Sequence, residues 1–198
     1  MLGVVLAALA ALAAPGQELF PPGDPVSLVL DDGGLETQFA IPSDVVIFNR
    51  FFPEEFPLEL DSVAILFPPE GVDIGEPFFV FLYEDDDGII SNGTTYRATF
   101  PATVQAVDGV TFTEVAFDPI TFEGPGQILI AVGQIRSPSL WQAADFTDPQ
   151  NESWVVDWDG TMPPPIPSSG LGFVDHNWMI RGFGTVLVPV ELQSVTVE

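Results

Sequence analysis

The chain has 198 residues, with 29 acidic side chains against four Arg (Arg50, Arg97, Arg136 and Arg181) and no Lys, giving a formal net charge of −25 alongside 46% hydrophobic residues. So much Phe, Val, Ile and Leu excludes a disordered acidic tail. Four cations cannot neutralise a phosphate backbone, which excludes nucleic acid as a partner, and an anionic membrane surface would repel the protein.

In chain order, an unbroken apolar run comes first, Leu2 to Ala14. It is too short to span a bilayer, which needs about 20 residues. With the small residues Ala11, Ala13 and Ala14 ahead of Gln17, residues 1–16 read as a secretory signal peptide, although no Lys or Arg precedes the run. The predicted layout is this signal peptide, a β-sandwich domain over 17–185, and a terminal strand or the start of a truncated following domain over 186–198. The mature protein is expected outside the cell or at its surface, without membrane insertion. Having no Cys, it must draw its stability from a core rather than from disulfides.

Beyond residue 16, 20 Pro and 18 Gly punctuate short β-rich runs. Strands are predicted near Val26–Leu30, Leu35–Ile41, Val45–Phe51, Leu58–Phe67, Phe78–Glu84, Thr94–Val104, Val110–Phe117, Gln127–Ile135, Trp154–Trp158, Asn177–Phe183 and Val186–Leu192. Phe78–Tyr83 is apolar on both faces, as in a central strand covered on both sides. Asp108-Gly109 predicts a tight type I′ hairpin turn, since Asp-Gly supplies positive φ angles. A phase slip in the alternation at Glu114 predicts a bulge there. Residues 137–177 hold Trp141, Trp154 and Trp158 with many Pro and Asp, and long loops are predicted there with one short strand. No helical stripe is present. The predicted fold class is all-β: an antiparallel, jelly-roll-like β-sandwich.

A succession of motifs supports the same fold. Leu28-Val29-Leu30-Asp31-Asp32-Gly33-Gly34-Leu35-Glu36 is followed by Phe48-Asn49-Arg50-Phe51, Val63-Ala64-Ile65-Leu66-Phe67, Val80-Phe81-Leu82-Tyr83-Glu84-Asp85-Asp86 and Asn177-Trp178-Met179-Ile180-Arg181. This order resembles a jelly-roll-like β-sandwich accessory module of large secreted bacterial proteins, over about Val26 to Gly184. In those proteins the module accompanies peptidases, other hydrolases or adhesin-like chains. The resemblance implies an accessory or interaction role and supplies no catalytic residues. Val188 to Val197 resembles the opening strand of a domain that precedes the sorting region in type IX-secreted proteins.

The chemistry legible in the residues is sparse. With no Cys, no Lys and one His, His176, nucleophilic catalysis and zinc binding are disfavoured, and His176 is expected as a polar loop residue. Paired carboxylates for a hydrolase cannot be singled out among 29 acids. Calcium is the candidate cofactor, because it takes six to eight oxygen ligands from carboxylates and loop carbonyls; the alternative is that the Asp-rich runs mark turns in which Asp caps its own backbone. Glu84, Asp85, Asp86 and Asp87 are its best candidates, ahead of Asp31, Asp32 and Glu36 and of Asp145, Asp148, Asp157 and Asp159. Trp141, Trp154 and Trp158 are the candidate ligand-binding residues, because flat aromatic rings stack on sugar faces. Even spacing puts Trp154 and Trp158 on one face of a strand, while Trp178 is expected in the core. The function so indicated is non-catalytic binding of a glycan or cell-surface ligand. A structural or assembly module of the cell envelope is the alternative, and a hydrolase comes third. The acid excess also predicts a salt-adapted surface.

Overall fold

The computed structural model describes residues 23–90, 94–134, 140–157, 166–167 and 175–188. The predicted signal peptide, Trp158 and nearly all of the tail lie outside them. Thirteen strands are present among the described residues: β1 (Asp24–Leu28), β2 (Thr37–Ile41), β3 (Val45–Phe51), β4 (Leu58–Leu66), β5 (Pro77–Asp85), β6 (Thr94–Thr103), β7 (Phe112–Phe122), β8 (Gln127–Gly133), β9 (Leu140–Asp145), β10 (Ser153–Asp157), β11 (Ile166–Pro167), β12 (Asn177–Trp178) and β13 (Ile180–Val186).

The pairing is antiparallel throughout and defines a jelly roll. One sheet runs β1-β13-β4-β7, and the other contains β3-β8-β5-β6. The connections β3–β4, β4–β5, β6–β7 and β7–β8 therefore each cross between sheets, while β5 and β6 form a hairpin. Four further strands are inserted between β8 and β13. β10 extends the second sheet beside β3, with β11 outside it, and β9 lies between β2 and β12 in a three-stranded sheet.

The main core fills the space between the sheets. Leu58, Leu60, Val63 and Ile65 of β4 face Val80 and Leu82 of β5 and Ile128, Ile130 and Val132 of β8. Each such buried side chain contributes about 1.5–3 kcal/mol. A second cluster, with Val46, Phe48, Phe81, Tyr83, Leu129, Ala131 and Val156, covers the opposite face of the larger sheet. That sheet is thus buried on both faces, which explains why β5 and β8 read as continuous apolar runs.

A buried polar pin fastens the two sheets. Asn49, on the core face of β3, donates from Nδ2 to the carbonyls of Trp178 (2.7 Å) and Ile180 (3.1 Å). Its Oδ1 accepts from Ser153 Oγ (2.7 Å), which itself accepts from the Trp178 N–H (3.0 Å). β3, β10 and the β12–β13 junction are locked together by these four bonds.

Three local expectations differ from the structure. Asp108-Gly109 does not close a hairpin, because β6 and β7 belong to different sheets. Gly109 has positive φ (71°), but Asp108 instead caps its own turn, with Oδ1 accepting from the N–H groups of Val110 (2.9 Å) and Thr111 (2.6 Å). The bulge in β7 lies opposite Asp61, between the pairs Leu60–Ile120 and Ser62–Ala116, and Glu114 pairs regularly with Ala64. Within 137–177, β9 replaces what reads as loop. Its sequence, Leu-Trp-Gln-Ala-Ala-Asp, has little β propensity, yet the small Ala143 is needed to pack under Leu66 and Met179.

Candidate ligand-binding site

The three candidate Trp residues do not form one platform. Trp141 lies on β9, half-buried against the main core, and its indole sits on the backbone of Gly71 in the β4–β5 connection. Trp154 lies on β10, on the outer face of the larger sheet, stacked on Phe48 at 6.5 Å between ring centroids. Trp158 is outside the described residues. Trp178 is fully buried, and its Nε1–H donates to the Trp154 carbonyl (3.3 Å).

Arg50 occupies the neighbourhood of Trp154. Its guanidinium lies 5.3 Å from the Trp154 ring and 4.9 Å from that of Phe52, while Nε pairs with Glu152 at 2.6 Å. Its NH1 reaches the Gly88 carbonyl at 3.4 Å. The structure therefore brings Trp154 close to the acidic Glu84–Asp87 turn, with Arg50 as the bridge, a neighbourhood that sequence distance hides.

The four acids of that run have separate partners. Glu84 pairs with Arg97 at 2.7 Å. Asp85 is wholly buried, and its Oδ1 accepts from the N–H groups of Asp87 (3.3 Å) and Gly88 (3.1 Å). Burial pushes the Asp85 carboxyl above its ordinary value. Asp86 is exposed, and Asp87 Oδ1 accepts from the Ile89 N–H at 2.8 Å.

Two other acidic groups, far apart in sequence, meet in space. Asp31 forms a two-pronged ion pair with Arg181, whose guanidinium lies 4.2 Å from the Phe112 ring centroid. Asp145, wholly buried at the end of β9, accepts from the N–H groups of Asp32 (2.8 Å) and Thr147 (2.6 Å). Glu36 accepts from Thr147 Oγ (2.8 Å) and from the Phe146 N–H, and these bonds hold its pKa below the ordinary value. Burial raises that of Asp145. These carboxylates pin loops to one another. Among the described residues no group of three or more His, Cys, Asp or Glu is placed to hold a metal ion. His176 lies in the loop just ahead of β12, as expected, but is buried there, with its ring 4.2 Å from Trp178 and 5.1 Å from Phe39.

A pocket of about 480 Å³ opens beside Trp141, lined by Gly71, Val72, Asp73 and Glu76. Its floor is built by close approach. Gly71 has φ of +85°, and a Cβ there would stand 2.5 Å from the Trp141 ring. The wall is braced by hydrogen bonds: Asp73 N–H donates to Glu76 Oε2 (3.2 Å), and buried Gln134 donates from Nε2 to Glu76 Oε1 (3.2 Å) and the Pro77 carbonyl (3.2 Å). Gln134 Oε1 is buried without a hydrogen-bond partner. Its volume lies in the range of small-ligand sites, and its lining offers two carboxylates, Asp73 and Glu76, beside one apolar side chain, Val72. Sequence reasoning picked out Trp141 but missed Asp73, Glu76 and Gln134.

The class so defined is an antiparallel jelly-roll sandwich with a ligand-sized pocket at one end of β5. No family model matches the chain, and no curated protein matches it. Among solved structures it is similar to that of the cysteine protease and lectin-like domains of Cwp84, a surface layer associated protein of Clostridium difficile. The identity is 17% and the TM-score 0.54, over 82% of this chain and 36% of that one. The likeness is one of fold, and this chain spans just over a third of that structure's length. No helix among the described residues is long and apolar enough to cross a membrane.

Proposed function

We propose that the protein is an extracellular or cell-surface module that binds a glycan without catalysis. The observation that carries this reading is the pocket beside Trp141, where Asp73 and Glu76 offer carboxylate acceptors to sugar hydroxyls. A sandwich fold shared with a structure containing lectin-like domains supports it. Non-catalytic binding suits the wall better than hydrolysis. Asp73 and Glu76 stand three residues apart on one loop and are tied by a hydrogen bond, whereas a glycosidase places two carboxylates on opposite sides of the scissile bond.

The test is a glycan array probed with the mature protein in calcium and high salt, with Gly71→Ala as the companion variant. A Cβ at position 71 meets the Trp141 ring and must shift the pocket floor, so bound glycans should be lost while the fold persists at a cost of about 1–3 kcal/mol. A blank array, or undiminished binding by Gly71→Ala, counts against the pocket. It would favour the envelope-assembly reading, for which β6 is the relevant feature: ten residues, none of them buried, at the edge of the larger sheet.

A further inference from the structure

A second site lies at the opposite end of β5. Asp85 ends that strand and Gln127 begins β8, and the two are direct cross-strand partners. Side chains at such positions share a face and stand about 5 Å apart at Cβ. Asp85 Oδ2 and Gln127 Oε1 are both buried without a hydrogen-bond partner. Asp87 stands two residues further along the same turn, where its backbone N–H donates to Asp85 Oδ1 (3.3 Å). Two buried oxygens, Asp85 Oδ2 and Gln127 Oε1, are thus left here without a donor.

A carboxylate oxygen removed from water is costly unless a hydrogen-bond donor, a proton or a countercharge meets it. Among the described residues none is placed at this point. Arg50 is taken by Glu152 and the Gly88 carbonyl, and Arg97 by Glu84 and the Thr121 carbonyl. The donor set is oxygen only, on a turn that opens to solvent at Asp86. That chemistry suits a hard cation of flexible coordination and is wrong for zinc or copper.

We propose that this turn binds a calcium ion through Asp85 Oδ2, Gln127 Oε1 and the Asp87 carboxylate, with water completing the shell. Of the four consecutive acids, Asp85 and Asp87 are ligands. Glu84 is spent on Arg97, and Asp86 faces solvent. The ion joins the β5–β6 turn to β8. Because Gly88 of that turn also meets Arg50, it steadies the side of the sheet carrying Trp154 and Phe52. The site is independent of the glycan pocket, and a blank glycan array leaves it standing.

The experiment is thermal unfolding of the full chain after chelation, titrated with calcium at constant ionic strength. The melting temperature of the wild type should rise with calcium along a saturating binding curve, and magnesium should act more weakly. Asp85→Asn should weaken calcium binding by about tenfold or more, since affinity follows ligand charge. Its melting temperature should not fall below that of the chelated wild type, because the amide carries no buried charge. Gln127→Glu adds a charged ligand and should tighten binding. Terbium luminescence of the wild type, displaced by calcium, gives a reading that no variant's folding affects. A wild type indifferent to calcium overturns the proposal. So does an Asp85→Asn variant with the full response, or stabilisation of the chelated protein by acid alone with no calcium effect.

Discussion

Replacing Asn49 by Ala should be the costliest single truncation of a polar side chain in this fold. Asn49 is wholly buried and makes three hydrogen bonds, two to the carbonyls of Trp178 and Ile180 and one from Ser153. The variant leaves two buried carbonyls short of a donor and one buried hydroxyl short of its acceptor. Each deserted group costs about 1–3 kcal/mol, with the carbonyls at the low end where the strand ladder serves their second lone pair. The sum is about 3–5 kcal/mol, a large part of the roughly 5–15 kcal/mol that holds a domain together. At this chain length the melting temperature should fall on the order of 10 °C. Urea unfolding followed by Trp fluorescence measures it, with an unchanged m-value showing that the denatured state is the same.

Two companions sharpen the result. Ser153→Ala removes one arm of the network, so the double variant should cost at least about 1 kcal/mol less than the sum of the singles. Asn49→Asp keeps the shape but cannot donate, and it sets a carboxylate against two carbonyl oxygens. It should be worse than Asn49→Ala at pH 7 and recover as the pH falls. A loss below about 1 kcal/mol for Asn49→Ala, at unchanged m, would refute the view that this pin fastens the sheets.

Asp108 gives a pH prediction. The N–H and hydroxyl of Thr111, with the Val110 N–H, lower its pKa from 3.8 to about 2 in the folded state. A depressed folded pKa stabilises above the unfolded value and is lost as pH falls through the folded one. Asp108→Ala should therefore melt below the wild type at neutral pH, the gap closing between pH 4 and 2; a pH-independent gap would sink the argument. Salt gives another: with 29 acids and four Arg, raising ionic strength should raise the melting temperature by screening repulsion, and a flat response would remove salt adaptation.

The motifs that carried the resemblance turn out to touch one another. Asn49 of the second motif holds the carbonyls of Trp178 and Ile180 in the last, and Arg181 of the last holds Asp31 of the first. Strand positions were legible because the core is dense in β-branched and aromatic residues, and β3 coincides with its predicted range. β9 was not legible, because burial among large neighbours selects Ala and Gln there, and those residues carry no strand signal by themselves. The pocket was hidden for another reason. Gln134 follows β8 and Glu76 precedes β5, and only the pairing of those strands brings the two together.

The acid excess and the density of turns are one feature. Three of the four Arg pair with acids among the described residues, at Glu152, Glu84 and Asp31, so cations account for few of the 29. Backbone N–H groups do most of the remaining work that is seen. Asp32 accepts from Gly34, Asp108 from Val110 and Thr111, Asp145 from Asp32 and Thr147, and Glu36 from Phe146. A carboxylate bound by turn amides stabilises the turn without a Lys or Arg, so a chain rich in turns tolerates many acids. The exceptions are then the informative positions. Asp85 retains a buried oxygen without a hydrogen-bond partner, whereas amides meet both oxygens of Asp145, which is why the proposed cation site lies at the acidic turn after β5 and not at the loops around Asp32 and Asp145.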